Sequence, residues 1–205
     1  MILLSKWRMF AVRPRYWPAN IRANAVDLMV GLSAVIFMAH SSTVTWQFVW
    51  ALSYGLWLIF IKPGSSILKV SIQAAVAQLV AFMALFLAWG DASLIVLVAA
   101  SWLISYLTAR HFFTSFDEPH SPLYSHTWGY FSAALVWILG HWLLFYGFLA
   151  QPTLLLTVIG YSLTTLYYLD QTDRLSTLLR RQFIFIMVAI VIVVLVFSDW
   201  GDKAI

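Results

Sequence analysis

The chain has 205 residues, of which 62% are hydrophobic and 10% charged, and its mean hydropathy is +0.87. Soluble domains average roughly 45–50% apolar and about 25% charged residues, so a water-soluble globule is excluded and a lipid-solvated helical domain is expected. The net charge of +4 arises from basic residues that flank apolar runs, which excludes a nucleic-acid surface, and the lack of cysteine excludes disulfides, thiolate metal sites and cysteine nucleophiles.

Residues 1–23 read as a basic cytoplasmic segment carrying Lys6, Arg8, Arg13, Arg15 and Arg22. Ala39-His40-Ser41 offers small residues at cleavage-like spacing, but the charged stretch is long for a leader and further apolar runs follow at once. An uncleaved first span is expected. A membrane domain over 24–198 contains seven apolar runs: Asn24–Ser41, Val44–Ile61, Ile67–Trp89, Ala92–Thr108, Trp128–Ala150, Thr153–Leu169 and Phe183–Ser198. Most approach the ~20 residues that cross a hydrocarbon core. The polar connections are too short for a separate soluble domain, so one all-α bundle is the expected fold.

The connections alternate in charge. His40–Thr43, Gly90-Asp91 and Gln151-Pro152 carry no Lys or Arg, whereas the N-terminus and the stretches near 62–66, 109–127 and 170–182 carry eleven of the twelve, counting Lys69 with the first of these. Only Lys203, in the short tail 199–205, falls on the other side. The positive-inside rule then places the N-terminus in the cytoplasm and the C-terminus outside, which requires an odd number of spans. Seven satisfies it, in the inner membrane of a bacterium-like cell. Trp46, Trp89, Trp128 and Trp200 fall at expected span ends, where amphipathic rings prefer the headgroup level. Lys62-Pro63-Gly64-Ser65-Ser66 has turn chemistry.

The stretch 109–127 concentrates His111, Asp117, Glu118, His120 and His126, and Asp170 and Asp173 lie on the same side. Imidazole plus carboxylate suits Zn, Fe or Mn, so His111, His120, His126, Asp170 and Asp173 are candidate ligands of a divalent metal, and the five residues of 109–127 are candidate acid–base groups. The spacing matches no closed coordination motif, and an ordinary solvated loop has the same composition. Asp170 and Asp173 near Arg174, Arg180 and Arg181 read equally well as charge pairing at helix ends.

Asp117-Glu118-Pro119-His120-Ser121-Pro122-Leu123, followed by His126 and Trp128-Gly129, resembles part of one histidine box of membrane fatty-acyl desaturases. The resemblance implies a di-iron centre held by histidines. His111 is unpaired, the later spacing is shorter, no other box has a counterpart, and five histidines are too few for that ligand set. The family's function is therefore not carried over.

Gln47, Gln73, Gln78 and His141 are the notable polar residues inside the expected spans; they either join helices by hydrogen bonds or line a path for a neutral solute. No Asp, Glu, Lys or Arg lies near the middle of a run, and Asp27, one turn inside the first, comes closest. A proton-coupled carrier normally keeps such a group, so that class is disfavoured. A retinal protein needs a lysine in its last span, and Phe183–Phe197 has none.

Three functions remain. The first is a non-catalytic accessory or structural component of a membrane assembly, with lipid and other subunits or itself as partners. The second is a small transporter or channel for a neutral or lipophilic solute, which expects Gln47, Gln73, Gln78 and His141 on one interior surface. The third is an enzyme acting on a lipid at the cytoplasmic interface, which expects the His/Asp/Glu side chains to converge beside a lipid-accessible groove.

Overall fold

The computed structural model describes residues 10–61, 66–147, 149–198 and 200. Residues 62–65 of the turn expected at 62–66, the basic residues Lys6, Arg8, Lys62 and Lys203, and most of the tail lie outside the described residues. The described chain is all-helical apart from one two-residue hairpin. Its helices are α1 (Trp17–Ala23), α2 (Ala25–Ala39), α3 (Val44–Phe60), α4 (Ile67–Trp89), α5 (Leu94–Thr114), α6 (Ser121–Leu139), α7 (Gln151–Gln171) and α8 (Thr177–Val196). Strands β1 (Phe145–Tyr146) and β2 (Leu149–Ala150) pair antiparallel between α6 and α7.

Local chemistry sets the helix ends. The Thr43 and Ser176 hydroxyls accept from the backbone N–H groups of Trp46 and Leu179 and cap α3 and α8. Pro122 and Pro152 sit in the first turns of α6 and α7, where a missing N–H costs nothing. At the other ends of α5 and α7, Asp117 (φ 52°) and Asp173 (φ 54°) adopt the left-handed conformation. Glu118 N then donates to Phe113 O and Arg174 N to Leu169 O, the closing bond of a Schellman motif.

Among the described residues, α4, α5, α7 and α8 are each long and apolar enough to cross a membrane. A fifth candidate combines the segment Pro14–Ala23 with α2 across a 71° bend, and α3 is apolar but only 17 residues long. The fifth apolar run departs from expectation. Its helix stops at Leu139, Gly140–Trp142 forms one 3-10 turn, and the hairpin follows. The polar stretch 109–127 is also mostly helical, because α5 continues to Thr114 and α6 begins at Ser121.

Helix α4 is central, packing against α2, α5 and α7, while α3 leans chiefly on α2 and α8 chiefly on α7. Two apolar clusters flank α4. One joins Val26, Val30, Tyr54, Trp57 and Ala77; the other joins Phe82, Phe86, Leu97, Val136 and Leu156. The pair α5–α6 makes the most extensive contact; Ser101 and Ser105 of α5 and Ser125, Gly129 and Ser132 of α6, at fourfold or threefold spacing, are all buried, and a Cβ on Gly129 would lie 3.0 Å from Trp102. Small residues at that spacing let two backbones approach in a bilayer. None of the twenty residues of α8 is buried. Its far end is held at the hairpin, where Gln151 Nε2 donates to Ser198 Oγ at 2.6 Å and Tyr146 Oη donates to Val194 O at 3.1 Å.

Candidate functional site

The polar centre of the bundle is Gln78, 8% exposed on α4. Its Nε2 donates to Leu156 O (3.0 Å) on α7, and its Oε1 accepts from Trp128 Nε1 (2.9 Å) on α6 and Thr108 Oγ1 (3.3 Å) on α5. One amide thus links four helices. The approach depends on Gly160, where a Cβ would lie 2.7 Å from Gln78 Nε2 and 3.0 Å from Trp128 Cζ2. An unsatisfied amide in hydrocarbon is costly, so these partners keep Gln78 in place.

Two cavities meet at this amide. The first, about 610 Å³, is walled by Phe112, Phe113, Tyr124, Trp128, Phe131 and Tyr167 and flanked by Met187 of α8. The second, about 530 Å³, lies between α4, α5 and α7, with Ser71, Thr108, Thr157 and Thr165 among aliphatic side chains. Gln78, Phe112, Gly160 and Thr164 line both. Both volumes fall in the roughly 300–1,000 Å³ range of small-molecule sites. The chemistry on offer is an apolar, aromatic surface with one well-held amide.

A second polar group lies on the α2–α5 side of α4. Asp27, 6% exposed, accepts from Trp57 Nε1 at 3.1 Å, and His111 Nε2 donates to Gln73 Oε1 at 3.2 Å. Gln73 is 2% exposed.

Residues 115–120 are held from α7. Tyr167 Oη donates to Glu118 Oε2 at 2.5 Å, and its ring meets Phe112, Phe113 and Phe116 edge-on at 5.2–5.6 Å. Glu118 Oε1 accepts from His120 N at 3.2 Å. The Tyr167 hydrogen bond, reinforced by the His120 backbone bond and the His120 charge, holds the Glu118 carboxyl below its ordinary pKa.

The sequence candidates disperse in space. His111 points to Gln73, and His120 is an exposed residue at the start of α6. His126 stacks among Trp102, Tyr106 and Tyr130, with ring centroids 4.7–6.3 Å away. Asp117 and Asp173 end helices, and Asp170 lies 3.8 Å from Arg180 with both side chains exposed. Among the described residues, no three His, Asp or Glu side chains are grouped to hold a metal ion. The single interior surface expected of Gln47, Gln73, Gln78 and His141 does not form. Gln47 is exposed on α3, and His141, beyond the end of α6, is exposed with Nδ1 donating to Trp137 O at 2.8 Å. Trp128, expected at a membrane boundary, turns inward to Gln78 instead.

Trp102, Thr108, Gly160 and Tyr167 escape a reading of the sequence. In a chain with 11 Trp, 9 Tyr and 15 Phe no single ring stands out. Gly160, in the middle of an apolar run, carries the one available signal, since glycine inside a helix often marks a close approach.

Comparison with protein-family models, with curated proteins and with solved structures finds no match to this chain.

Proposed function

We propose that this chain is a seven-span protein of the cytoplasmic membrane, with its N-terminus inside and its C-terminus outside. In this reading it is a non-catalytic accessory or structural component of a membrane assembly, built with other subunits or further copies of itself. The observation that carries the proposal is the outward character of its flanking helices. Helix α8 buries no residue, and α3 exposes Val44, Trp46, Phe48, Leu52, Ile59 and Phe60. Lipid can cover such faces, and so can another helix, and the large exposed rings Trp46, Phe48 and Phe60 on α3 are residue types enriched where protein partners meet. Of the candidate acid–base groups, His111 bonds to Gln73, Glu118 to Tyr167, and Asp117 ends a helix, which fits this reading.

The test is the mass of the protein extracted into lipid nanodiscs from its native membrane, measured by light scattering. A species heavier than the 23.4 kDa chain supports the reading, and a variant with Phe48 and Phe60 changed to Ala is expected to lighten it. A monomer in native lipid would sink it. A second reading, passage of a lipophilic solute, is favoured by the meeting of the two cavities at Gln78; it expects solute flux that rises when Gln78 is replaced by Ala.

A further inference from the structure

The 610 Å³ cavity opens as a groove between α6 and α8, with α7 as its floor. Tyr124, Trp128 and Phe131 supply one wall, Leu163 and Tyr167 the floor, and Met187 the other wall. Arg180 precedes Met187 by seven residues, two helical turns, so both lie on the same face of α8 about 10 Å apart along the axis. Arg180 and Asp170 therefore mark the polar mouth of the groove, where Arg174 and Arg181 are also exposed. Over residues 170–182 there are three arginines and two aspartates, a net charge of +1, and the Glu118 carboxylate held by Tyr167 Oη adds one negative charge at the floor. The exposed 3.8 Å pair with Asp170 constrains the Arg180 guanidinium weakly, and its five N–H donors suit a phosphate.

We propose that this groove binds one anionic phospholipid, its acyl chain along the α7 floor and its phosphate at Arg180 and Arg181. Two features at two depths match this ligand: an apolar, ring-lined slot at hydrocarbon depth and cationic charge at headgroup level. A zwitterionic headgroup would bring an ammonium toward the same arginines and binds less well. The inference rests on the membrane reading above and adds a ligand to it.

The test uses the full chain in mild detergent, titrated with phosphatidylglycerol or with phosphatidylethanolamine of the same acyl chains, with bound lipid counted by native mass spectrometry. One phosphatidylglycerol per chain is expected to be retained. Replacing both arginines (Arg180→Gln with Arg181→Gln) should weaken it roughly 30-fold, through loss of two interfacial basic groups. Met187→Trp, which fills the slot, should abolish retention, with Leu163→Trp as a second filling variant if the first fails to fold. Ile95→Trp, on an exposed position of α5 that lines neither cavity, should change nothing. Equal retention of both lipids, or insensitivity to the arginine and filling variants, would overturn the proposal. So would a dimer that Met187→Trp dissolves, because the occupant would then be a second copy. Alkaline extraction of each variant is scored separately. A chain released from the membrane refutes the membrane reading, whereas one that stays and binds no lipid refutes the groove assignment alone.

Discussion

Gln78 concentrates contacts to α5, α6 and α7 on one side chain, so its removal and the removal of the space it needs should be coupled. Gln78→Ala leaves Trp128 Nε1 without its acceptor and Leu156 O without its second donor, at an expected cost of about 1–2 kcal/mol. Gly160→Ala drives a methyl against the same amide and should cost a similar amount, despite the higher helix propensity of alanine. In the double variant the amide is gone, so the second substitution should add little. A thermal-denaturation cycle checks this, and simple additivity would disprove the shared contact. The Glu118–Tyr167 bond makes a separate prediction about pH. Because the folded pKa of Glu118 lies below its ordinary value, the stabilisation is complete above the ordinary carboxylate range and is lost as pH falls through the folded value. Hydrogen exchange across 115–120 should therefore speed up on acidification, and Tyr167→Phe should flatten that dependence by removing its largest cause. An unchanged profile in the variant would assign the effect to another group. Gln73, Gln78 and Asp27 were legible from sequence because polar groups are rare in apolar runs. Their partners were not, since a tryptophan or a backbone carbonyl gives no sign of which amide it will meet.

At the scale of elements, seven apolar runs became seven helices, and the two misjudged regions share a physical cause. Apolar composition sets where lipid is tolerated, whereas backbone geometry sets where a helix stops. Trp128–Ala150 is apolar throughout, yet its helix ends before Gly140 and a hairpin follows. The stretch 109–127 is polar, yet most of it is helix, because its turn needs only the residues between Thr114 and Ser121. The helix ends also reassign Asp173, a candidate metal ligand, and Asp117, a candidate acid–base group. Asp117 and Asp173 hold positive φ angles, a conformation that glycine adopts without strain and alanine does not. Replacement of either by Gly should be neutral or slightly stabilising, while replacement by Ala should cost about 1 kcal/mol. Thermal unfolding of the four variants decides the matter. If Gly and Ala are equally damaging at either position, the carboxylate itself is needed and the capping account is wrong.

For the whole molecule, charge parity and helix packing constrain different things. In the proposed seven-span topology eleven of twelve basic residues fall on one side, but that count does not say which helices touch. The contact of Gln78 with Leu156 joins positions 78 residues apart, and no local pattern encodes it. Packing in turn says nothing about sidedness, and it raises a specific doubt about the first two spans. Helix α2 has 15 residues and α3 has 17, or about 23 and 26 Å at 1.5 Å per residue, against a hydrocarbon core of about 30 Å. Either both cross with flanking residues making up the length, or the pair enters and leaves on the cytoplasmic side. If the later helices cross as proposed, the parity of all later loops is the same in both cases, so the charge count cannot separate seven spans from five. The absence of cysteine makes a direct measurement clean, since any introduced thiol is the only one in the chain. Ser42→Cys, between α2 and α3, and Asp91→Cys, between α4 and α5, should both react with an impermeant maleimide applied to intact spheroplasts. Ser115→Cys and Thr172→Cys should react only after permeabilisation. Protection of position 42 with labelling at 91 would turn α2–α3 into a re-entrant hairpin and leave five spans, and labelling of position 115 from outside would reverse the proposed orientation.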